Sequence, residues 1–436
     1  MSDLKKAFET LTKKGKSHTL LWDYYDGNHR VFHITKKLQE MFGSKNIYFS
    51  ENWCAVIVDA MLDRIILKRF VIAESEKLTK RLNEIWETTE MNLDDDEAHL
   101  CTLVTGEAYL MAWKEKEEID AYYQDSRLCH IQYDESRPKK KRFAAKWWVN
   151  AEKKRCLTLY YPDKLEYYQS MVLADKLTSH TGLIMSESLP NPLGEIPMVH
   201  IRRSSRKLIS ELQNAIDPQN AVNKLIADMM VVSEFGAFPQ RYAITEMDLS
   251  HLASGPAELW ELPAGDGHGE PTRVGQFAAA NLNQYLAAIE RSAQVIGVIT
   301  RTPKHFFFGQ GGDPSGEALI TMEAPLNAKC IRFIERAKVS MQKFASLLLK
   351  LDGYDVLPGM IEPIYQEPKT AQPLTLSITR QNNVSSGLPL RTQLRQEGWS
   401  EQQIEQMEAD RVAEEAASQT SLASALVNAQ RKFDQS

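Results

Sequence analysis

Between Thr302 and Gly353 a glycine-rich loop opens into one long helical stretch, and nothing else in the chain restricts its fold so strongly. The loop reads TPKHFFFGQGGDPSGEAL, and about three dozen helix-permissive residues follow, with Pro325 embedded in them. Asp313 and Pro314 suit the N-cap and first helical position. Glu317 and Glu323 come early and Lys338, Lys343 and Lys350 late, the charge order a helix dipole favours. Gly353 is a reasonable stop. Pro325 removes a backbone donor and crowds the preceding turn, which predicts a kink. A glycine loop on a kinked helix, preceded by another amphipathic helix, is unusual for a soluble enzyme. It suggests a part that surrounds something and moves.

The same loop invites a catalytic reading, which fails. Its glycines could cradle a phosphate, but no Gly-Lys-Ser/Thr ending follows, so a P-loop is excluded. No G-x-S-x-G, H-E-x-x-H or G-x-G-x-x-G stands in the context its fold requires. The ten histidines are scattered, and the one close pair, His29 and His33, reads as solvated or structural. Asp59 and Asp63 share a helix face, and Arg64 beside them makes an ion-paired surface the better reading. Asp94, Asp95, Asp96 and Glu97 read as an acidic helix start rather than a cation site. The five cysteines never form a C-x-x-C pair, so neither a disulfide framework nor a zinc site is indicated, and idle thiols in a reducing compartment are expected. No catalytic residue, metal or cofactor is assigned. Three consecutive aromatics, Phe306 to Phe308, could stack on bases or anchor the loop in a subunit contact. The anchor is favoured, because duplex DNA exposes phosphates rather than base faces. Lys304 and His305 are then the side chains suited to touch a passing backbone.

The 436 residues leave room for two or three domains, and 43% hydrophobic with 25% charged content is that of a globular protein. No apolar run approaches the ~18–20 residues that span a bilayer. The opening MSDLKKAFETLTKKGK lacks the apolar centre of a secretion signal. The expected place is a cytoplasm, until the protein is built into something else. A net charge of −6 argues against tight nucleic-acid binding. It does not exclude DNA passing by, since a weakly repulsive wall lets a polyanion slide.

Along the chain, helical spacing covers Glu51–Ile66 and Glu74–Glu87. Short aromatic and β-branched segments follow: Glu107–Trp113, Leu128–Tyr133, Arg142–Val149, Cys156–Tyr161 and Lys164–Gln169. They predict an antiparallel meander with long polar loops. The basic run Lys139 to Arg142 reads as a solvated hairpin tip. The turn in LPNPLGEIPMVHI leads into another short strand. Asp217 and Pro218 start a helix that ends near Gly236, and a second helix covers Ala279–Thr300. Between them lies a Gly/Pro-rich excursion with strands near Gln240–Ile244 and Glu258–Leu262. The tail predicts a strand at Leu374–Thr379, a helix at Leu390–Glu397 and a Ser400/Gln403 capping box. From Ala413 a solvated helix or partial disorder is expected.

This order of parts resembles the portal proteins of long-tailed bacteriophages. Local signatures add to the resemblance: GEAYL at Gly106–Leu110, LYYPDKLEYY at Leu159–Tyr168, NPLGEIPMV at Asn191–Val199, DPSGEAL at Asp313–Leu319 and RTQLRQEGWSEQQIEQM at Arg391–Met407. It implies an α+β portal fold: an α/β wing (1–204), a stem helix (205–235), a small β clip (236–276) and a returning stem helix (277–301). A tunnel loop (302–313), a long kinked helix with a wing strand (314–390) and a helical crown (391–436) complete it. The implied assembly is a ring, usually of twelve, at one capsid vertex in the virion, made in the host cytoplasm and without a membrane. Double-stranded DNA would pass through it non-specifically in packaging and ejection. The implied partners are the large terminase subunit, the major capsid and scaffold proteins, and head-completion or adaptor proteins. Carried onto this chain, the tunnel-loop residues are Lys304, His305, Gly309, Gln310, Gly311 and Gly312, and the kink is Pro325. The clip contacts are Glu258, Trp260, Glu261, Asp266, His268 and Glu270. The alternatives are a nucleotide-dependent packaging or nucleic-acid-processing enzyme, and a ring-forming virion or adaptor protein that is not a portal.

Overall fold

A computed structural model describes residues 2–28, 51–116, 118–204, 207–237, 241–244, 273–276, 281–308, 315–369, 381–396, 399 and 403–414. Helix α1 (Asp3–Tyr25) starts at Ser2, whose hydroxyl caps Lys5 N. Its Ala7, Phe8 and Leu11 pack on a five-stranded sheet through Phe143, Trp147, Leu157 and Leu159. That sheet has the order β4-β5-β6-β7-β8: Cys129–Tyr133, Lys141–Val149, Lys154–Tyr160, Lys164–Leu173 and Leu183–Pro190. Every pairing in it is antiparallel.

The expected single meander is two sheets. Strand β2 (Glu107–Glu115) lies between β3 (Glu118–Gln124) and the distant β9 (Met198–Arg202). β2 is buried on both faces, with Ala108, Leu110 and Ala112 in one core and Tyr109 and Met111 in another. A third pairing joins β1 (Leu67–Ile72) to β12 (Ile361–Tyr365).

Helix α2 (Trp53–Leu62), α3 (Glu76–Thr88) and α4 (Met91–Thr105) fill the space between these sheets and the long helix. The acidic run does start in the first turn of α4, with Asp94, but it does not cap the helix. Its N-cap is Glu90, which gives no side-chain bond. Asp94 instead accepts the Tyr123 N–H, and Asp95 is buried against His99. The basic run is a solvated hairpin tip at Lys139, Lys140 and Arg142, which are exposed, but not at Lys141, where β5 begins. Lys141 Nζ donates to Met198 O at 2.6 Å, and burial pushes that amine down to about 8.

Helix α5 (Ile216–Ala237) begins just before Asp217 and Pro218, and α6 (Leu282–Thr300) packs along it. At its far end β10 (Arg241–Ile244) pairs with β11 (Arg273–Gln276), a partner the sequence reading did not contain. Residues 258–262 and 374–379, and Ser400, lie outside the described residues.

Helix α7 (Gly316–Leu351) is one uninterrupted helix of 36 residues. Ser315, not Asp313, is its N-cap, accepting from Ala318 N at 3.3 Å. At the other end Gly353 takes φ +94°, Tyr354 N–H reaches Leu349 O and Gly353 N–H reaches Lys350 O, which closes the last turn. Leu326, Cys330, Phe333, Ile334 and Ala337 belong to one core with α2 and α6. Met341, Phe344, Ala345 and Leu348 belong to another with α3, α4, β1 and β2. A short helix α8 (Leu390–Gln396) follows.

Candidate functional site at the base of the glycine-rich loop

The segment that leads from α6 into the loop is fixed by backbone geometry first. Arg301 caps α6 in the left-handed region at φ +60°, and the N–H groups of Arg301 and Thr302 both reach Gly297 O. A Cβ on Gly297 would stand 2.9 Å from Thr302 O, so this reversal needs glycine there. A single 3₁₀ turn, Lys304–Phe306, follows.

Three aromatics then lock the segment onto α2. Phe307 and Phe308 meet Trp53 edge-on, with ring centroids 5.9 and 5.7 Å apart. The Arg64 guanidinium lies over Phe306 at 5.4 Å. Trp53 is itself held by α5, since its N–H donates to Gln219 Oε1 at 3.0 Å. The aromatic triplet therefore anchors the loop base within its own chain.

Charge ties the same segment to α7. Glu323 is 5% exposed. It accepts from His305 Nε2 at 3.0 Å and from Arg64 Nη2 at 2.9 Å. Arg64 also donates to Asn327 Oδ1 and Ala60 O. This corrects the expected surface pairing of Arg64 with Asp59 and Asp63. Asp59 accepts from Tyr25 OH instead, at 2.9 Å. Just beyond, Lys329 Nζ donates to Thr300 O at 2.7 Å and pairs with Glu211 at 2.6 Å. Arg203 holds the other oxygen of Glu211.

Of the expected tunnel-loop residues, Lys304 is exposed and His305 is half-buried and bonded to Glu323. Gly309, Gln310, Gly311 and Gly312 lie outside the described residues, as do Glu258, Trp260, Glu261, Asp266, His268 and Glu270. Pro325 sits inside α7 on an exposed face. With Val295, Val298, Ile299, Pro303 and Met322 it lines an apolar groove of about 620 Å³. Sequence reasoning missed Glu323, Trp53, Lys329 and Glu211. Helical spacing shows which face a residue takes, but not which distant element will lie against it.

A second polar centre lies in the sheets. Glu107, 1% exposed, opens β2 directly after Gly106, whose φ is +94°. Lys14 Nζ is 2.6 Å from one carboxylate oxygen, and His200 Nε2 and Tyr109 OH donate to the other at 2.7 and 2.9 Å. Burial pushes this carboxyl up, but Lys14 and His200 outweigh it and hold it well below the usual range. Burial also pulls His18, His130 and His200 down to about 4. Glu107, Lys14, Tyr109 and His200 are committed to one another, so the centre is a brace between α1 and the sheets.

Among the described residues no group of three or more His, Cys, Asp or Glu is placed to hold a metal ion, and no helix is long and apolar enough to cross a membrane. The five cysteines are free thiols, four of them buried.

The family described as "Phage portal protein, SPP1 Gp6-like" has a sequence model that matches residues 11–420. Among solved structures, one chain of the "Virion of native gene transfer agent (GTA) particle" is 12% identical. It has a TM-score of 0.45 and covers 82% of this chain and 90% of that one. A chain of the "Neck of empty GTA particle computed with C6 symmetry" gives the same values. No curated protein matches significantly.

Proposed function

The chain belongs to the phage portal protein family of SPP1 Gp6-like type, and from that membership we propose that it forms a ring-shaped DNA channel at one capsid vertex. The observation that carries this reading is the family match, which spans residues 11–420 rather than one motif. In this reading residues 1–204 are the wing, 205–235 and 277–301 the stem and 236–276 the clip. Residues 302–313 are the tunnel loop, 314–390 the long helix with its wing strand, and 391–436 the crown.

Two features support a ring. Val298 is 79% exposed on the apolar groove beside the loop, and a chain that lives alone rarely leaves such a surface open. The loop base is meanwhile cross-braced to α2, α5 and α7, so a constriction mounted there has a stiff seat. Lys304, exposed at that base, is the side chain that meets passing phosphates as a non-specific point charge. Pro325 supplies the bend through which α7 follows the loop. The chain itself hydrolyses nothing. A terminase motor docks on the clip, through Glu258, Trp260, Glu261, Asp266, His268 and Glu270, and head-completion proteins later take its place.

Electron microscopy of the purified full chain tests the ring: rings with a central hole are expected, and uniformly monomeric particles at micromolar concentration refute it. Removal of Gly309–Gly312 tests the loop. Rings should survive while DNA packaging or retention is lost, and normal DNA-filled heads would overturn the assignment.

A further inference from the structure

Behind the loop base lies a pocket of about 340 Å³ between the end of α6, Arg203 with the segment 209–214, and α7. Five cations line it: Arg203, Arg301, Lys329, Arg332 and Arg336. Glu211 is the single carboxylate among them. Glu211 is already consumed, because Arg203 and Lys329 each hold one of its oxygens. Arg336 gives one N–H to Arg203 O at 2.6 Å. Among the described residues Arg301 and Arg332 have no carboxylate partner. Arg332 and Arg336 stand one turn apart on the same face of α7, so their charges reinforce rather than cancel. Arg301 is held at the lip by its left-handed cap conformation. Such a concentration of forked donors suits carboxylate oxygens.

The chain carries the complementary feature elsewhere. Asp59, Asp63, Asp96 and Glu97 gather where α2 and α4 meet, linked pairwise closely enough to perturb one another, and Asp26 at the end of α1 joins Asp59 and Glu97 around Tyr25. Among the described residues none of them is in an ion pair with lysine or arginine. Burial first, then neighbouring carboxylates, raises Asp59, Asp96 and Glu97. This patch cannot fill the chain's own pocket. Met61 lines the pocket, whereas Asp59 lies two residues before it on α2 and Asp63, the C-cap of α2, two residues after it, each turned by ~200° from Met61. Pocket and patch thus flank opposite sides of one helix. Head-to-tail contacts between identical subunits need such an arrangement, two different complementary faces on each copy.

We propose that the arginine pocket receives the acidic patch of the neighbouring copy of this chain, so that adjacent subunits are joined by carboxylate–guanidinium contacts. The proposal rests on the ring reading above and names the contact that closes it. A duplex phosphate is the other anion to consider. The pocket is a recess large enough for one or two side chains, however, while phosphates of a duplex stand on a convex rod.

Charge swapping tests the contact, with ring and monomer fractions of the full chain read by mass photometry across a dilution series. Arg301→Glu/Arg332→Glu and, separately, Asp96→Lys/Glu97→Lys should each raise the protein concentration needed for rings by about tenfold or more. Circular dichroism should show folded monomers in both cases. A 1:1 mixture of the two variants, or the chain carrying all four substitutions, should restore rings. The milder Arg301→Ala/Arg332→Ala should shift the same concentration in the same direction, which covers the case in which a reversal fails to fold. Wild-type rings together with unchanged rings in the reversed variants would overturn the proposal and leave the ring reading standing. Loss of rings with no rescue in the mixture or the fourfold variant would overturn it too. Unchanged rings with weakened retention of a short duplex would assign the pocket to DNA instead. A wild type that never forms rings would remove the ring reading itself, and this contact with it.

Discussion

At the scale of single residues, buried charges carry the clearest consequences. Glu323 satisfies His305 and Arg64 at once, and Arg64 keeps Asn327 and Ala60 O if it is lost. Glu323→Ala should therefore cost about 2–3 kcal/mol, read as a lower urea midpoint with an unchanged m-value. The centre around Glu107 predicts a pH response with a definite sign. His18, His130 and His200 are held at about 4 in the folded chain against an ordinary 6.5. Between those values the unfolded chain binds more protons, so stability is whole above about pH 6.5 and falls as pH drops towards about 4. Glu107, depressed by its partners, adds loss in the same direction at lower pH. Thermal unfolding from pH 7 to pH 5 should show a falling midpoint, and His130→Gln should flatten that slope. A midpoint independent of pH would contradict the brace. Nothing in GEAYL announced this centre, because a glutamate at the start of a strand reads as exposed until Lys14 and His200 are brought to it by the fold.

At the scale of elements, periodicity revealed what is local. The long helix, both helices before it and strands β4 to β7 follow from apolar spacing and turn residues. Strand β1, paired with β12 from the far end of the chain, does not, since neither strand carries a record of its partner. Helix α1 was hidden for another reason. Its Ala7, Phe8 and Leu11 stripe is interleaved with lysines, and Lys14 and His18 complete the buried face. Two substitutions probe element joints. Gly106 turns α4 into β2 at φ +94°, and a Cβ there would stand 2.8 Å from the Ile209 backbone nitrogen. Gly106→Ala should cost at least about 2 kcal/mol, from left-handed strain and a neighbour that cannot yield, measured by denaturant unfolding. Pro325 should do the reverse. It is exposed within α7, so Pro325→Ala restores a backbone donor without opening a cavity. A gain of about 1–3 kcal/mol is expected in the same denaturant unfolding, with impaired packaging under the proposed role of Pro325 as a bend.

At the scale of the whole molecule, the apolar groove beside Val298 and the arginine pocket both open near the base of the loop. Val298→Asp should leave the monomer as stable as before, because the side chain is 79% exposed, yet prevent rings under conditions where the wild type forms them. Ring formation unaffected by this change would place the contact elsewhere. The two halves of α7 lie in different hydrophobic cores. The helix cannot unwind in one core without loosening the other, so the two should open to solvent as one cooperative block. In hydrogen exchange, amides of α2 and α3, which never share a core, should then exchange with a common opening free energy. A pull on the glycine loop would be resisted by the combined unfolding work of both cores rather than by the nearer one alone.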